Sequence, residues 1–289
     1  MNTNRDRLIV ISVMGQVSTP GFPAVPAAPY IIAQDGRPEL LPSFGSIVYN
    51  VRVGDPAFGW VGDRIQPGVS INADGDANNA LNIFACLGNE AIVSSGAATG
   101  SRGIVVGKSG RFSDHVILHF ARDVLEAINL GDKILIRACG RGLKIAGHDD
   151  VILKSLSPNL LEAMDVRETA DGKLEVPVAM CLPGLLIGPG AGLTSEAGAL
   201  NIQASDPEIV EKYGLHSLRL GDFVAMQDLD SRYFHGYRSG AIGVGVVCQT
   251  ASPVLGHGPG LALIMTSSTG GIVPRIDPNA NLATLVHLA

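Results

Sequence analysis

The chain is 289 residues long, which as a soft prior holds one large domain or two ordinary ones. Its net charge of −6, with no Lys/Arg stripe, excludes a phosphate-neutralising nucleic-acid surface, and no apolar run reaches the ~18 residues of a membrane span. The first apolar run, residues 8–11, is too short for a signal sequence, so the expectation is a soluble, cytoplasmic protein.

Charged residues are only 17% of the chain, which predicts a compact homo-oligomer that hides apolar faces between subunits. The 36 glycines predict many loops and turns. Four scattered cysteines form no C-x-x-C pair, so neither a zinc knuckle nor a disulfide framework is indicated.

In chain order, residues 1–45 carry Pro20, Pro23, Pro26, Pro29, Pro38 and Pro42 and read as an irregular arm packed on the body. A β-branched segment follows at 46–53, ending at Gly54-Asp55. A short helix is predicted over 78–86, then strands at 103–106 and 116–120, a helix at 122–128, and a strand at 133–138 directly after Gly131-Asp132. Ser157-Pro158 opens a helix over 158–164, and Asp206-Pro207 another over 207–213. Strands at 223–226 (after Gly221-Asp222), 241–248 and 261–266 complete the set. The repeated unit is an apolar residue, a Gly-Asp turn and a strand; Gly takes the positive φ while Asp bonds nearby backbone N–H groups. The fold class is therefore mainly β, with one or two small barrel-like units, a few short helices and Gly-rich loops. The expected division is the arm, an N-terminal unit over 46–155 and a C-terminal unit over 156–289.

The densest polar run is Asp228-Leu229-Asp230-Ser231-Arg232-Tyr233-Phe234-His235-Gly236-Tyr237-Arg238. On an extended strand Asp228 and Asp230 share a face, where two carboxylates support acid/base work or present oxygen ligands to a divalent metal. Arg232 or Arg238, with Tyr233, would clamp a substrate carboxylate. The competing reading is a solvated hairpin with surface ion pairs.

Gly256-His257-Gly258-Pro259-Gly260 sets an imidazole among small residues, open to a ligand or another subunit. The N–H groups of Gly258 and Gly260 could hold an anion, or the loop is simply a tight turn. His115 and His119, four apart on a strand, stand about 13 Å from each other and share no metal. Cys86, at a helix C-terminus, is disfavoured as a nucleophile. The glycine-rich run at 184–192 lacks the order of a nucleotide-binding loop, so no nucleotide cofactor is expected.

Together the segments 51–55, 67–71, 86–91, 131–136, 142–144, 156–158, 218–225, 240–247 and 256–260 resemble the domain-of-unknown-function family forty-four thirty-eight, nearly end to end. The resemblance implies a mainly β, barrel-containing architecture and no settled activity. The chain departs from that family's pattern where Arg64, Gln66, Ser109 and Cys248 replace an expected His, Glu, His and His. If relatives use those positions as ligands or bases, that role is absent or altered here.

The leading functional expectation is an enzyme acting on a small polar molecule, as a hydrolase, lyase or isomerase. His257 shuttles the proton, Asp228 or Asp230 assists, and whether a metal takes part is left open. Because the two polar loops flank one strand, they meet only if the chain doubles back or a second subunit completes the site. The alternative is a non-catalytic oligomeric protein that binds a small ligand or serves in assembly.

Overall fold

The computed structural model describes residues 1–21, 30–110, 114–188 and 194–288. Beside the short edge strand Ile47–Val48, which pairs with Gly68–Asn72, six strands form the first sheet: β1 (Ile11–Val17), β2 (Gly68–Asn72), β3 (Glu90–Val93), β4 (Arg102–Lys108), β5 (Val116–His119) and β6 (Lys133–Ala138). They pair antiparallel in the order β1-β6-β3-β4-β5-β2, and β2 returns to β1, with Gln16 opposite Asn72. The sheet is thus a closed barrel, and closure removes the exposed strand edges that invite aggregation. Alternate residues point inward: Val13 and Val17, Val69 and Ile71, Val116 and Leu118, Ile134 and Ile136 share one core. Helix α1 (Gly75–Phe84) adds Leu81, which lies so close to β1 that a Cβ at Gly15 would stand 2.8 Å from it.

The second sheet holds β7 (Val151–Leu153), β8 (Met180–Pro183), β9 (Ile187–Gly188), β10 (Leu200–Ile202), β11 (Phe223–Asp230), β12 (Gly236–Val247) and β13 (Gly260–Ser267). Its order is β8-β11-β12-β13-β10-β9, with β7 also on β13. The edge strands β8 and β9 are joined by the single turn Gly184–Leu186, so the sheet curls into a second barrel-like unit. Both of its faces are apolar, which is why β13 reads as a continuous hydrophobic run. Leu261 and Leu263 join Val224 and Met226 on one side, while Ala262 and Ile264 join Phe223, Val244 and Val246 on the other. That second core also receives Leu87, Val106 and Ile117 from the first barrel, so the two units share it. A small sheet of Arg167–Glu168, Leu174–Val178 and Ile272–Ile276 packs its middle strand into the same core.

The Gly-Asp turn recurs three times with one geometry. Gly54, Gly131 and Gly221 have φ of 103°, 85° and 90°. In each case the following Asp accepts the N–H of the residue three before it, at 2.8 Å: Arg52 to Asp55, Asn129 to Asp132 and Arg219 to Asp222. The helices at Pro158–Ala163 and Pro207–Lys212 start as expected, with Ser157 Oγ accepting from Leu160 N at 3.2 Å and Asp206 from Glu208 N at 2.9 Å.

Three expectations need correction. The arm over 1–45 contains β1, a full barrel strand whose inward Val13 and Val17 alternate with exposed residues. The strand over 46–53 shrinks to Ile47–Val48, because Ser46 sits at φ 70° and the chain then leaves the sheet. The N-terminal unit over 46–155 lacks β1 and includes β7, which pairs with β13 in the other unit. The glycine-rich run at 184–192 lies partly outside the described residues.

Candidate functional site

The expected acid pair does not form. The register of β11 with β12 breaks between Gln227 and Leu229, where β12 carries the extra residues 238–241 and Asp228 sits at φ 58°; this left-handed backbone breaks the alternation that would have set Asp228 beside Asp230. Asp228 Oδ1 instead accepts the N–H of Gly240 at 2.7 Å. Asp230 is gripped by Arg232, whose Nε and Nη2 reach Oδ2 at 3.1 and 2.8 Å; this hydrogen bonding holds its carboxyl below the usual range. The guanidinium expected to clamp a substrate is thus occupied. Tyr233 and Arg238 point into solvent.

His257 lies in the loop between β12 and β13, and its Nδ1 stands 3.1 Å from the Leu255 carbonyl. The acidic hairpin opens β12 and the His257 loop follows its far end, and among the described residues no hydrogen bond or ion pair joins His257 to Asp228, Asp230, Arg232 or Arg238. The glycines of the His257 loop serve packing. A Cβ at Gly258 would collide with the Ile202 carbonyl, and one at Gly260 with the Gln249 side chain.

Polar groups do converge where β4 ends, at the junction of the two units. Lys108, the last residue of β4, is 1% exposed. Its Nζ donates to Asn82 O at 2.5 Å, Ser155 Oγ at 3.0 Å and Glu196 O at 3.0 Å. Ser155 follows β7, and its Oγ donates to Glu196 O at 3.2 Å. Arg141, just beyond β6, donates from Nη2 to Ser155 Oγ at 3.3 Å and from Nη1 to Lys154 O at 2.9 Å. Lys154 Nζ reaches Glu196 Oε1 and the Arg232 carbonyl, both at 2.5 Å. Ser195 N and Oγ donate to Tyr233 O at 3.1 and 3.2 Å. The polar hairpin therefore borders the cluster through backbone carbonyls. His235 joins it as a side chain, with Nδ1 3.0 Å from Ser231 Oγ.

The electrostatics follow from burial. Desolvation, aided by the nearby Arg141 guanidinium, pushes the Lys108 amine well below its usual range, which favours the neutral form. Burial alone would raise Glu196, but the Lys154 hydrogen bond and the charges of Lys154 and Arg141 outweigh it and hold the carboxyl low. Burial lowers His235 to about 4, so it is neutral near pH 7. In its neutral form the amine has two N–H groups for the Asn82 and Glu196 carbonyls and turns its lone pair to the Ser155 hydroxyl, the arrangement of a general base and a nucleophile. The cluster reaches solvent through the half-buried Arg141 and Glu196.

A second network lies on the other side of the same strand end. Gln66 Nε2 donates to Ser109 Oγ at 2.7 Å, Ser70 Oγ donates to Gln66 Oε1 at 2.5 Å, and His115 Nδ1 stands 3.2 Å from that oxygen. Cys248 Sγ donates to Lys108 O at 3.2 Å. Three of the four positions singled out in the sequence, Gln66, Ser109 and Cys248, thus gather around the end of β4. The fourth, Arg64, pairs with the buried Asp63 at 2.9 Å. Among the described residues, no group of three or more His, Cys, Asp and Glu side chains converges as a metal set would.

The sequence reading missed Lys108, Arg141, Lys154, Ser155 and Glu196 as a set. The one local signal was a lysine closing the apolar strand Ile104-Val105-Val106-Gly107.

Two β units that share one core, with a buried lysine–serine–glutamate seam at their junction, define the class of protein. The chain belongs to the domain-of-unknown-function family DUF4438, whose N-terminal domain matches residues 30–162 and whose C-terminal domain matches residues 163–286. It is similar to the solved structure "Crystal structure of TM1086", at 42% identity over 100% of this chain and 99% of that one, with a TM-score of 0.92. No curated protein matches the chain. Among the described residues, no helix is long and apolar enough to cross a membrane.

Proposed function

We propose that the chain is an enzyme acting on a small polar molecule by acid/base chemistry, with Lys108 as the base and Ser155 as the group it activates. The observation that carries this reading is the 3.0 Å contact between Lys108 Nζ and Ser155 Oγ, in a site where burial and Arg141 disfavour the ammonium. Lys108 accepts the Ser155 proton as Oγ attacks a carbonyl carbon and returns it to the leaving group; water, deprotonated by Lys108, then attacks the acyl-serine, and the proton goes back to Ser155 Oγ as the acid departs. Arg141 and Lys154 supply fixed positive charge for the oxyanion that develops. Hydrolysis of a small ester or amide fits these roles best.

The test is a serine-reactive fluorophosphonate probe. Wild-type protein becomes labelled at Ser155, and Lys108→Met and Ser155→Ala do not. A folded wild-type protein that neither takes the label nor hydrolyses small esters overturns the reading.

A second reading rests on the count of charges in the cluster: Lys108, Arg141 and Lys154 face one carboxylate, Glu196. That excess suits a binder of a small anion without turnover. Calorimetry with a small dicarboxylate, alongside the ester assay, separates the two. The reading also takes the protein to be cytoplasmic and a homo-oligomer, as its low charge and exposed Ile9, Val10 and Val61 suggest; light scattering checks the oligomer.

A further inference from the structure

We infer that Cys86 and Cys139 form a modification site: a thiol pair that a small peroxide converts to a reversible disulfide. Cys86 follows α1, and Cys139 follows β6. The Asn89 carboxamide ties the two backbones together. Its Oδ1 accepts from Cys86 N at 2.8 Å and from Cys139 N at 3.2 Å, and its Nδ2 donates to Cys139 O at 2.8 Å. Two amides on one acceptor oxygen put the cysteines side by side, and a disulfide needs Cα atoms roughly 4.4–6.8 Å apart. The Cys86 side chain lies against the residue that follows Cys139: a Cβ built on Gly140 would lie 2.8 Å from Cys86 Sγ and 3.2 Å from Cys86 Cβ.

Access is asymmetric in the way such chemistry needs. Cys139 is half-buried and lines an open cavity of about 190 Å³ with Ile9, Ile11, Phe84 and Arg141. Cys86 is fully buried beside it. In the proposed reaction, the Cys139 thiolate attacks one oxygen of hydrogen peroxide. The O–O bond breaks, hydroxide leaves, and a sulfenic acid forms. Cys86 sulfur then displaces the sulfenic oxygen, which departs as water, and the S–S bond closes. Overall two thiols give up two electrons and two protons, and one peroxide becomes two waters. Burial, with the neighbouring Cys86, raises the Cys139 thiol above its usual range, so the reaction is slow at neutral pH and accelerates in alkali.

The consequence for the seam rests on the function proposed above. The last turn of α1 supplies the carbonyls that hold it in place: Asn82 O for Lys108 Nζ and Ile83 O for Arg141 Nε at 2.5 Å. Cys86 lies within electrostatic reach of both cations. Closing the disulfide draws this end of the helix onto the segment after β6 and shifts those two carbonyls.

The test is peptide mapping of the full chain after hydrogen peroxide and an alkylating quench, at about pH 7 and about pH 9. The expected product is a Cys86–Cys139 cross-linked peptide that forms faster at the higher pH and is lost on dithiothreitol. Cys139→Ser leaves Cys86 a free thiol under the same treatment. Sulfinic or sulfonic acid on Cys139 with Cys86 still free overturns the inference, as does a cross-link from either cysteine to any other partner. Ester hydrolysis by the oxidised protein is scored separately. If wild-type protein never hydrolyses esters, the proposed activity fails while the mapping result still decides the disulfide.

Discussion

Replacing Lys108 with Met separates the charge of the seam from its shape. An unfolded lysine titrates near 10.5, and the folded Lys108 titrates well below that because it is desolvated beside Arg141. Between those two values the unfolded chain holds one more proton than the folded one. Folding stability therefore rises with pH across that window, by at most about 1.4 kcal/mol per pH unit for one proton. Below the folded pKa the penalty is complete and constant, and above 10.5 it is gone. Met does not titrate, but it leaves the Asn82 carbonyl without the donor it has from Lys108, a loss of about 1–3 kcal/mol for a buried acceptor. The wild type should gain on Lys108→Met as the pH rises from the lowered folded pKa toward 10.5, where the gain levels off. Urea unfolding of both proteins over that range gives the difference directly, since all other groups cancel. A difference that does not change with pH would show that the ammonium is as well hosted here as in water, and the base assigned to Ser155 would be lost.

Other substitutions test the remaining assignments. His115 is lowered by burial from 6.5 to about 4, so the unfolded chain takes up the extra proton first as acid is added. Stability should fall from about pH 6.5 to about pH 4, by up to about 3 kcal/mol, and His115→Gln should flatten that acid limb in thermal melts. Gly258→Ala should lose about 1–3 kcal/mol or more because the new methyl meets the Ile202 carbonyl, while His257→Ala stays within about 0.5 kcal/mol in the same urea titration; the reverse order would reinstate His257 as the reason for the loop. Asp228→Asn should be nearly neutral, since Asn tolerates the left-handed backbone and still accepts from Gly240, whereas Asp228→Val should cost about 1–2 kcal/mol in chemical unfolding. Equal losses for the two would mean that the bulge is not held by its backbone conformation.

What the sequence revealed was local. The three Gly-Asp turns and the Ser-Pro and Asp-Pro helix starts depend on residues within three or four positions of one another. Their chemistry is legible without knowing the partners. The strand β1 was hidden because its outward residues include Ser12 and Gln16, its inward series passes through Gly15, and prolines follow from Pro20. The acid pair misled for a related reason: alternation is a sound rule until the backbone turns left-handed, as it does at Asp228, opposite the extra residues that β12 carries between Tyr237 and Ile242. The glycines around His257 were read as room for a ligand, yet two of them make room for the protein's own backbone and side chains. The seam draws on four separate segments, at Lys108, Arg141, Lys154-Ser155 and Glu196, and only the pairing of β7 with β13 and the shared core place them together. No spacing rule on a single chain registers such a set.

The composition of the seam is itself an argument about its role. Adhesion between the two units is already supplied by an apolar core that joins Leu87, Val106 and Ile117 to Phe223, Val244 and Ile264. Burying ions at such a junction is a poor way to add stability, because the desolvation cost offsets most of the attraction and well-packed apolar residues do as well or better. Of the three cations, only Lys154 has its ammonium against a carboxylate, at 2.5 Å. Lys108 and Arg141 are held by neutral carbonyls and by one hydroxyl, Ser155 Oγ. A seam built for adhesion would pair those charges. One built to fix a hydroxyl between a weakly charged amine and a guanidinium would leave them as they are, with the charge directed at the oxygen where negative charge develops. That asymmetry favours chemistry at Ser155 over packing, and it makes Ser155→Ala the informative variant: it removes one oxygen and should leave the fold intact while abolishing the fluorophosphonate label.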